Sequence, residues 1–193
     1  MDNKKDFVGK KQVARQIAFT AVFAALCFVG TVVLTVPLPY GYLNVGDLFV
    51  LLAGWCLGPL YGFAAAALGS AAADILSGFA LYAPVTFFVK GVDALVAYFA
   101  WKGLSILFRG RWDMLSRVIS ASVAEGCMVL GYFVYESFLY GIAGAAASLS
   151  GNALQALAAV VCGTILAACL RKLSPMCLYF PSFGKYHRDR HSE

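Results

Sequence analysis

No charged residue separates Arg15 from Asp47, and residues 17–36 between them are almost wholly apolar. A helix rises 1.5 Å per residue, so about 20 such residues span the ~30 Å hydrocarbon core of a bilayer. The apolar core of a secretory signal is shorter, about 7–15 residues. The stretch therefore reads as a membrane-crossing helix that stays in the protein. The rest of the chain has the same character: 61% of its 193 residues are hydrophobic and only 13% are charged. A soluble domain carries about 25% charged residues. Lipid must be the solvent for much of this surface.

Pro37 and Pro39 stop the first helix, and residues 37–42 read as a loop. A short second helix runs from Asn44 to the Gly58-Pro59 turn, and a third covers 60–76. After a loop at 77–83, Pro84 opens a fourth helix over 84–108. A polar break at 109–113 precedes a fifth helix over 115–140. A small-residue loop at 141–151 leads to a sixth over 152–173. The expected fold is all-α, an integral membrane bundle of six transmembrane helices. Residues 1–16 form a basic cytoplasmic head, 17–173 the bundle and 174–193 a cytoplasmic tail.

Charge placement supports that count. Lys4, Lys5, Lys10, Lys11 and Arg15 precede the first helix, and Lys102, Arg109, Arg111 and Arg117 surround one break. Arg171, Lys172, Lys185, Arg188 and Arg190 fall at the end, whereas the loops 37–42, 77–83 and 141–151 carry no Lys or Arg. That is the positive-inside pattern for an even number of crossings with both termini in the cytoplasm. The clusters flank apolar segments and build no folded basic face, which argues against nucleic-acid binding. Gly54, Gly58 and Gly62, and then Ala65, Gly69 and Ala73, recur at intervals of four. Such spacing lets helix backbones approach closely, so tight packing is their first reading.

Charged side chains inside a membrane need a reason, because each costs at least ~2.5 kcal/mol at the bilayer centre. Asn44, Asp47, Asp74, Glu136, Asn152 and Gln155 fall near the outer boundary, with Lys90 and Asp93 about two turns in. Tyr40, Tyr42, Tyr82, Phe87, Tyr132, Tyr135 and Tyr140 fall at a similar level. Aromatic faces with a few convergent polar groups suit a small, flat, polar heterocycle. Plainer readings stand beside this one. The tyrosines suit an interfacial belt, Lys90 and Asp93 suit a neutralising pair, and Asp47 and Asn152 suit helix caps. Glu125, deep in the fifth helix, either pairs with a basic group or is protonated.

The chain has no GxxxxGK[ST] phosphate loop, and its only histidines, His187 and His191, lie in the tail. Hydrolytic chemistry by a Ser-His or zinc route therefore has no equipment in the helices. The six cysteines include no CxxC pair and read as small packing residues, with Cys177 in the tail. No cofactor or metal is expected, and the pattern fits binding or transport rather than an enzyme.

Tyr42-Leu43-Asn44-Val45-Gly46-Asp47 resembles the Tyr-Ile-Asn-Leu-Gly-Asp signature of the substrate-binding S components of energy-coupling factor (ECF) transporters. Gly58-Pro59-Leu60-Tyr61-Gly62, the stretch ending at Asp74, Tyr82 to Phe87, Val89-Lys90-Gly91, Gly131 to Glu136 and Gly151 to Gln155 follow in order. Asp93 stands where Glu is expected. The resemblance implies a bacterial cell-membrane subunit that captures a water-soluble vitamin or precursor: riboflavin, pyridoxine or hydroxymethylpyrimidine. It implies partners too, a membrane T component and two ATPases, which accounts for the missing phosphate loop. The family's alanine stripe for the T component matches Ala21 and Ala25, extended by Ala14 and Ala18. The expected substrate-binding residues are Asn44, Asp47, Tyr82, Lys90, Tyr132, Glu136, Asn152 and Gln155, with 37–44 as a lid. Two rivals remain: a stand-alone proton-coupled carrier with Asp74, Glu125 and Lys90 as relay, and an assembly protein with no small ligand.

Overall fold

The computed structural model describes residues 2–33, 35–38, 41–173 and 179–180. The side chains of Tyr40 and Tyr42, and Cys177, His187 and His191 of the tail, lie outside the described residues. The elements run α1 Asp2–Val33, β1 Thr35–Leu38, β2 Gly41–Asn44, α2 Asp47–Leu57, α3 Pro59–Leu76, α4 Ala83–Leu107 and α5 Asp113–Arg171.

Three expectations are corrected. Within the stretch expected as a loop at 37–42, Pro37-Leu38 and Gly41-Tyr42 lie in two antiparallel strands, Thr35–Leu38 and Gly41–Asn44, that pair Thr35 with Asn44 and Leu38 with Gly41. The first helix starts earlier than expected and ends at Val33, before the β-branched pair Thr35-Val36 and Pro37 turn the chain into that hairpin. The loop expected at 141–151 is helical from residue 142 onward, so that among the described residues a single break at Gly141 divides Asp113–Arg171. Small residues misled there: alanine is the best helix former, and the segment is rich in it.

The 59 residues of α5 do not form one rod. A straight helix of that length would reach about 90 Å, three times a hydrocarbon core. Gly141 breaks it, with φ 72 and ψ 170, a backbone region open essentially to glycine alone. Residues 113–140 and 142–171 are therefore two helical arms. Gly58, with φ 81, makes the equivalent sharp turn between α2 and α3, and Pro59 starts the new helix.

α2 is the centre of the bundle. Its 11 residues are too few to cross a bilayer, and all but Leu48 and Phe49 are buried. A helix that is apolar all round belongs in a core, and α2 touches α1, α3, α4 and α5. The small-residue stripe makes this possible. A Cβ on Gly54 would lie 2.4 Å from the Ala94 carbonyl oxygen of α4, and one on Gly69 would lie 2.3 Å from that of Ala24 on α1. Outside, Val29, Leu68, Phe88, Phe99, Leu130 and Ile165 are exposed, as only lipid tolerates on this scale. Four helical stretches, Gln12–Val33, Pro59–Leu76, Ala83–Leu107 and Asp113–Arg171, are long and apolar enough to cross a membrane.

The end away from the hairpin is tied by Asp113. Its Oδ2 accepts from Arg117 Nε at 3.0 Å and Arg171 Nη1 at 2.8 Å, and its Oδ1 accepts from Trp101 Nε1 at 2.9 Å. The fully buried Arg117 guanidinium stacks 4.7 Å from the Trp101 ring centroid and 5.2 Å from that of Trp55. One carboxylate thus joins both ends of α5 to α4.

The two turn glycines should carry only a backbone cost. Gly58→Ala and Gly141→Ala are each expected to lose about 1–3 kcal/mol, because no atom lies closer than 3.9 Å to the added methyl. Gly103→Ala, helical and facing open space, should gain about 0.5–1 kcal/mol. Thermal unfolding in detergent checks all three.

Candidate functional site

The hairpin delivers Asn44 to the first turn of α2, where its Oδ1 accepts the Gly46 N–H at 2.8 Å. That fixes the side chain and leaves its amide to reach across the bundle. Asn44 N and Nδ2 both donate to Gln155 Oε1 in the second arm of α5, at 3.0 and 3.2 Å. Gln155 Nε2 donates to Asp47 Oδ2 at 2.6 Å, and Lys90 of α4 donates to Asp47 Oδ1. Asn44, Gln155, Asp47 and Lys90 therefore form one chain, each at most 6% exposed. The expected intrahelical partner of Lys90 was Asp93; the structure gives it Asp47 instead. Asp47 does not act as a cap, since Gly46 holds the N-cap position and Asp47 spends both oxygens on other helices.

A second group lies along the same end. Lys90 Nζ sits 5.4 Å from the centroid of the Tyr132 ring, and Tyr132 Oη shares a hydrogen bond with Thr86 Oγ1 at 2.9 Å. The buried Glu136 carboxylate accepts from Ser148 through Oε2 and lies 3.5 Å from Tyr82 Oη through Oε1. Tyr82 Oη is also 3.4 Å from Tyr140 Oη. Tyr135 donates to the Leu81 carbonyl at 2.6 Å and packs edge-on against Tyr82 at 5.5 Å between centroids. Of the expected site residues, Asn152 alone stands apart. It is half-buried and makes no hydrogen bond among the described residues. It also lies well inside the second arm rather than capping a helix.

Ser148 and Thr86 were missed. Thr86 sits one helical turn before Lys90 on α4, a spacing that shares a face. Ser148, Asn152 and Gln155, four and then three residues apart, also share a face once 142–151 is read as helix. Reading that segment as loop hid the relation. Glu125 is buried and makes no hydrogen bond to either group. Ala14, Ala18, Ala21 and Ala25 are all exposed along one side of α1, whereas Phe19 and Phe23 turn inward onto Phe180.

This helical membrane bundle, with its short buried helix, a hairpin at one end and a polar, aromatic cluster beside it, shares its fold with solved structures. A solved S component of a bacterial ECF transporter superposes with a TM-score of 0.61 at 18% identity, covering 82% of this chain and 96% of that one. The S component for biotin from an ECF-type ABC transporter gives 0.55 at 17% identity, covering 88% and 97%. The model of the family "ECF-type riboflavin transporter, S component" matches residues 11–172, and the chain belongs to that family. A Pyrococcus woesei protein, described as an uncharacterized protein in a gap 3' region, is 33% identical over 147 residues, 75% of this chain and 93% of its own length. The family is one of transporter substrate-binding components and not of enzymes.

The Lys90–Asp47 pair gives a sharp test. Removing one partner of a buried ion pair strands the other charge and costs about 3–5 kcal/mol. Lys90→Met should therefore lower the unfolding temperature strongly, and Asp47→Asn added to it should restore most of the loss. A double variant no more stable than Lys90→Met would show that the two groups are not coupled.

Proposed function

We propose that this chain is the substrate-capturing subunit of an ECF-type transporter and that it binds a riboflavin-like heterocycle at its hairpin end. The observation that carries this reading is Asn152. It is a half-buried amide without a hydrogen-bond partner among the described residues, on the helix face that also carries Ser148 and Gln155. Its amide offers both a donor and an acceptor. Tyr82, Tyr132 and Tyr140 supply aromatic faces, and Glu136 supplies an acceptor beside them. Flat ring systems such as riboflavin, pyridoxine or hydroxymethylpyrimidine need this mixture of stacking and in-plane hydrogen bonds. Family membership favours riboflavin among them. Asn44, Asp47, Lys90 and Gln155 complete the wall, and residues 37–44 act as its lid.

On this reading the hairpin end faces outward and the end with Lys102, Arg109, Arg111, Arg171 and Lys172 faces the cytoplasm of a bacterial cell, as the positive-inside rule favours. The two arms of α5 count as separate helices, which gives six helices, and the charge pattern favours both termini inside. Residues 1–16 and 174–193 then serve as cytoplasmic head and tail. Ala14, Ala18, Ala21 and Ala25 present a smooth, exposed face to the T component, whose ATPases drive release. A stand-alone proton-coupled carrier needs Lys90 free to relay, and here Lys90 is held by Asp47.

Calorimetric titration of the purified protein with riboflavin is the test. Stoichiometric binding is expected, and Asn152→Ala and Glu136→Ala should each weaken it at least tenfold, about 1.4 kcal/mol. Unchanged affinity in both variants would remove the site. A wild-type protein that ignores riboflavin but binds pyridoxine or hydroxymethylpyrimidine would reassign the ligand.

A further inference from the structure

Lys90 and Asp47 have each other, but two carboxyl groups packed beside them have no such partner. Asp93 on α4 is 0% exposed and Glu125 on the first arm of α5 is 1% exposed. None of their four carboxyl oxygens has a hydrogen-bond partner among the described residues. Glu125 lies within electrostatic range of Asp93, Asp47 and Lys90, so the four groups form one cluster across α2, α4 and α5. The other titratable groups that face it are the Cys27 thiol from α1 and the Tyr132 phenol from α5, and α3 brings Asp74 near that phenol. Cys27 itself packs in an apolar group with Val50, Ala66 and Ala94, all 0% exposed.

Charge counting then constrains the chemistry. With every acid ionised, Asp47, Asp93 and Glu125 would bring three negative charges against the single positive charge of Lys90. Asp47 already takes Lys90 and Gln155 as donors. An ionised carboxylate with no donor, inside a bundle surrounded by lipid, is among the most costly arrangements a protein can hold. A neutral carboxylic acid removes that cost. A metal ion would need further oxygen ligands, and no group of three or more acidic, His or Cys side chains suited to a metal occurs among the described residues.

We propose that Asp93 and Glu125 form an intramembrane proton-binding site, with each carboxyl holding one proton while Lys90 is paired with Asp47. The site is a further one, distinct from the ligand contacts above. It has a consequence for them. Loss of either proton creates an anion that competes with Asp47 for Lys90, so a deprotonated cluster loosens the wall of the ligand site. That consequence rests on the function proposed above; the proton site does not.

Infrared spectroscopy of the full chain in lipid vesicles at neutral pH tests the site without any ligand. A protonated carboxyl has its own C=O stretch, which moves when heavy water replaces water. Asp93→Asn and Glu125→Gln should each remove one such band from the wild-type spectrum. If a variant fails to assemble, carbon-isotope labelling of all aspartates, and separately of all glutamates, should shift the corresponding band in the wild type. Spectra in which neither label moves a protonated-carboxyl band, or only one does, overturn the two-proton site. Added sodium chloride should leave both bands in place, and their loss would assign the site to a metal cation. An absence of riboflavin binding with both bands present would sink the proposed function and leave the proton site standing.

Discussion

The Asp47 carboxylate stands at the first turn of α2, which packs against α1, α3, α4 and α5, and three parts of the bundle meet on it. Lys90 reaches it from α4 and Gln155 from the second arm of α5, and Gln155 in turn holds the end of the hairpin through Asn44. The bilayer core offers no water to replace these bonds, so a polar group here is either satisfied by the protein or costs several kcal/mol. Neighbouring choices follow from that. α2 needs no length to span the bilayer because its role is to carry Asp47 into the interior and to pack on every side.

The opposite end repeats the device with different chemistry. Asp113 gathers Arg117, Arg171 and Trp101, and Arg117 lies against two indole rings. Guanidinium is weakly hydrated and stacks on aromatic faces, so it suits a buried position better than an ammonium would. Between the two polar centres the helices meet mainly through shape. Gly54 against Ala94 and Gly69 against Ala24 bring backbones together where any side chain would collide. In lipid there is little hydrophobic drive between helices, so close packing and the two polar centres must hold the bundle together.

Much of this was legible in the sequence. Apolar length marked the membrane helices, Gly58-Pro59 marked the sharp turn, and the clustered polar residues marked the end where the network forms. The failures have physical causes. The hairpin escaped because Pro37 and Pro39 look like loop punctuation, yet a two-stranded edge tolerates proline. The helical 142–151 escaped because its glycines and serines suggest a turn, whereas only Gly141 takes a backbone that breaks a helix. Ser148 was lost with it. Cross-helix partners were out of reach in principle, since which helices meet is not written in the spacing along any one of them.

The choice made by Lys90 shows that last limit most clearly. Asp93 is three residues away on the same helix, the spacing that pairs charges on an exposed helix surface. Asp47 wins because it offers an anion that is already stabilised. It sits at the N-terminus of α2, where the unpaired backbone N–H groups and the helix dipole favour negative charge, and Gln155 donates to its other oxygen. Asp93 lies in mid-helix, where neither aid exists, and no side chain donates to it. Two acids near one lysine are thus unequal from the outset. The one at the helix start holds the lysine, and the one in mid-helix is left to satisfy itself with a proton.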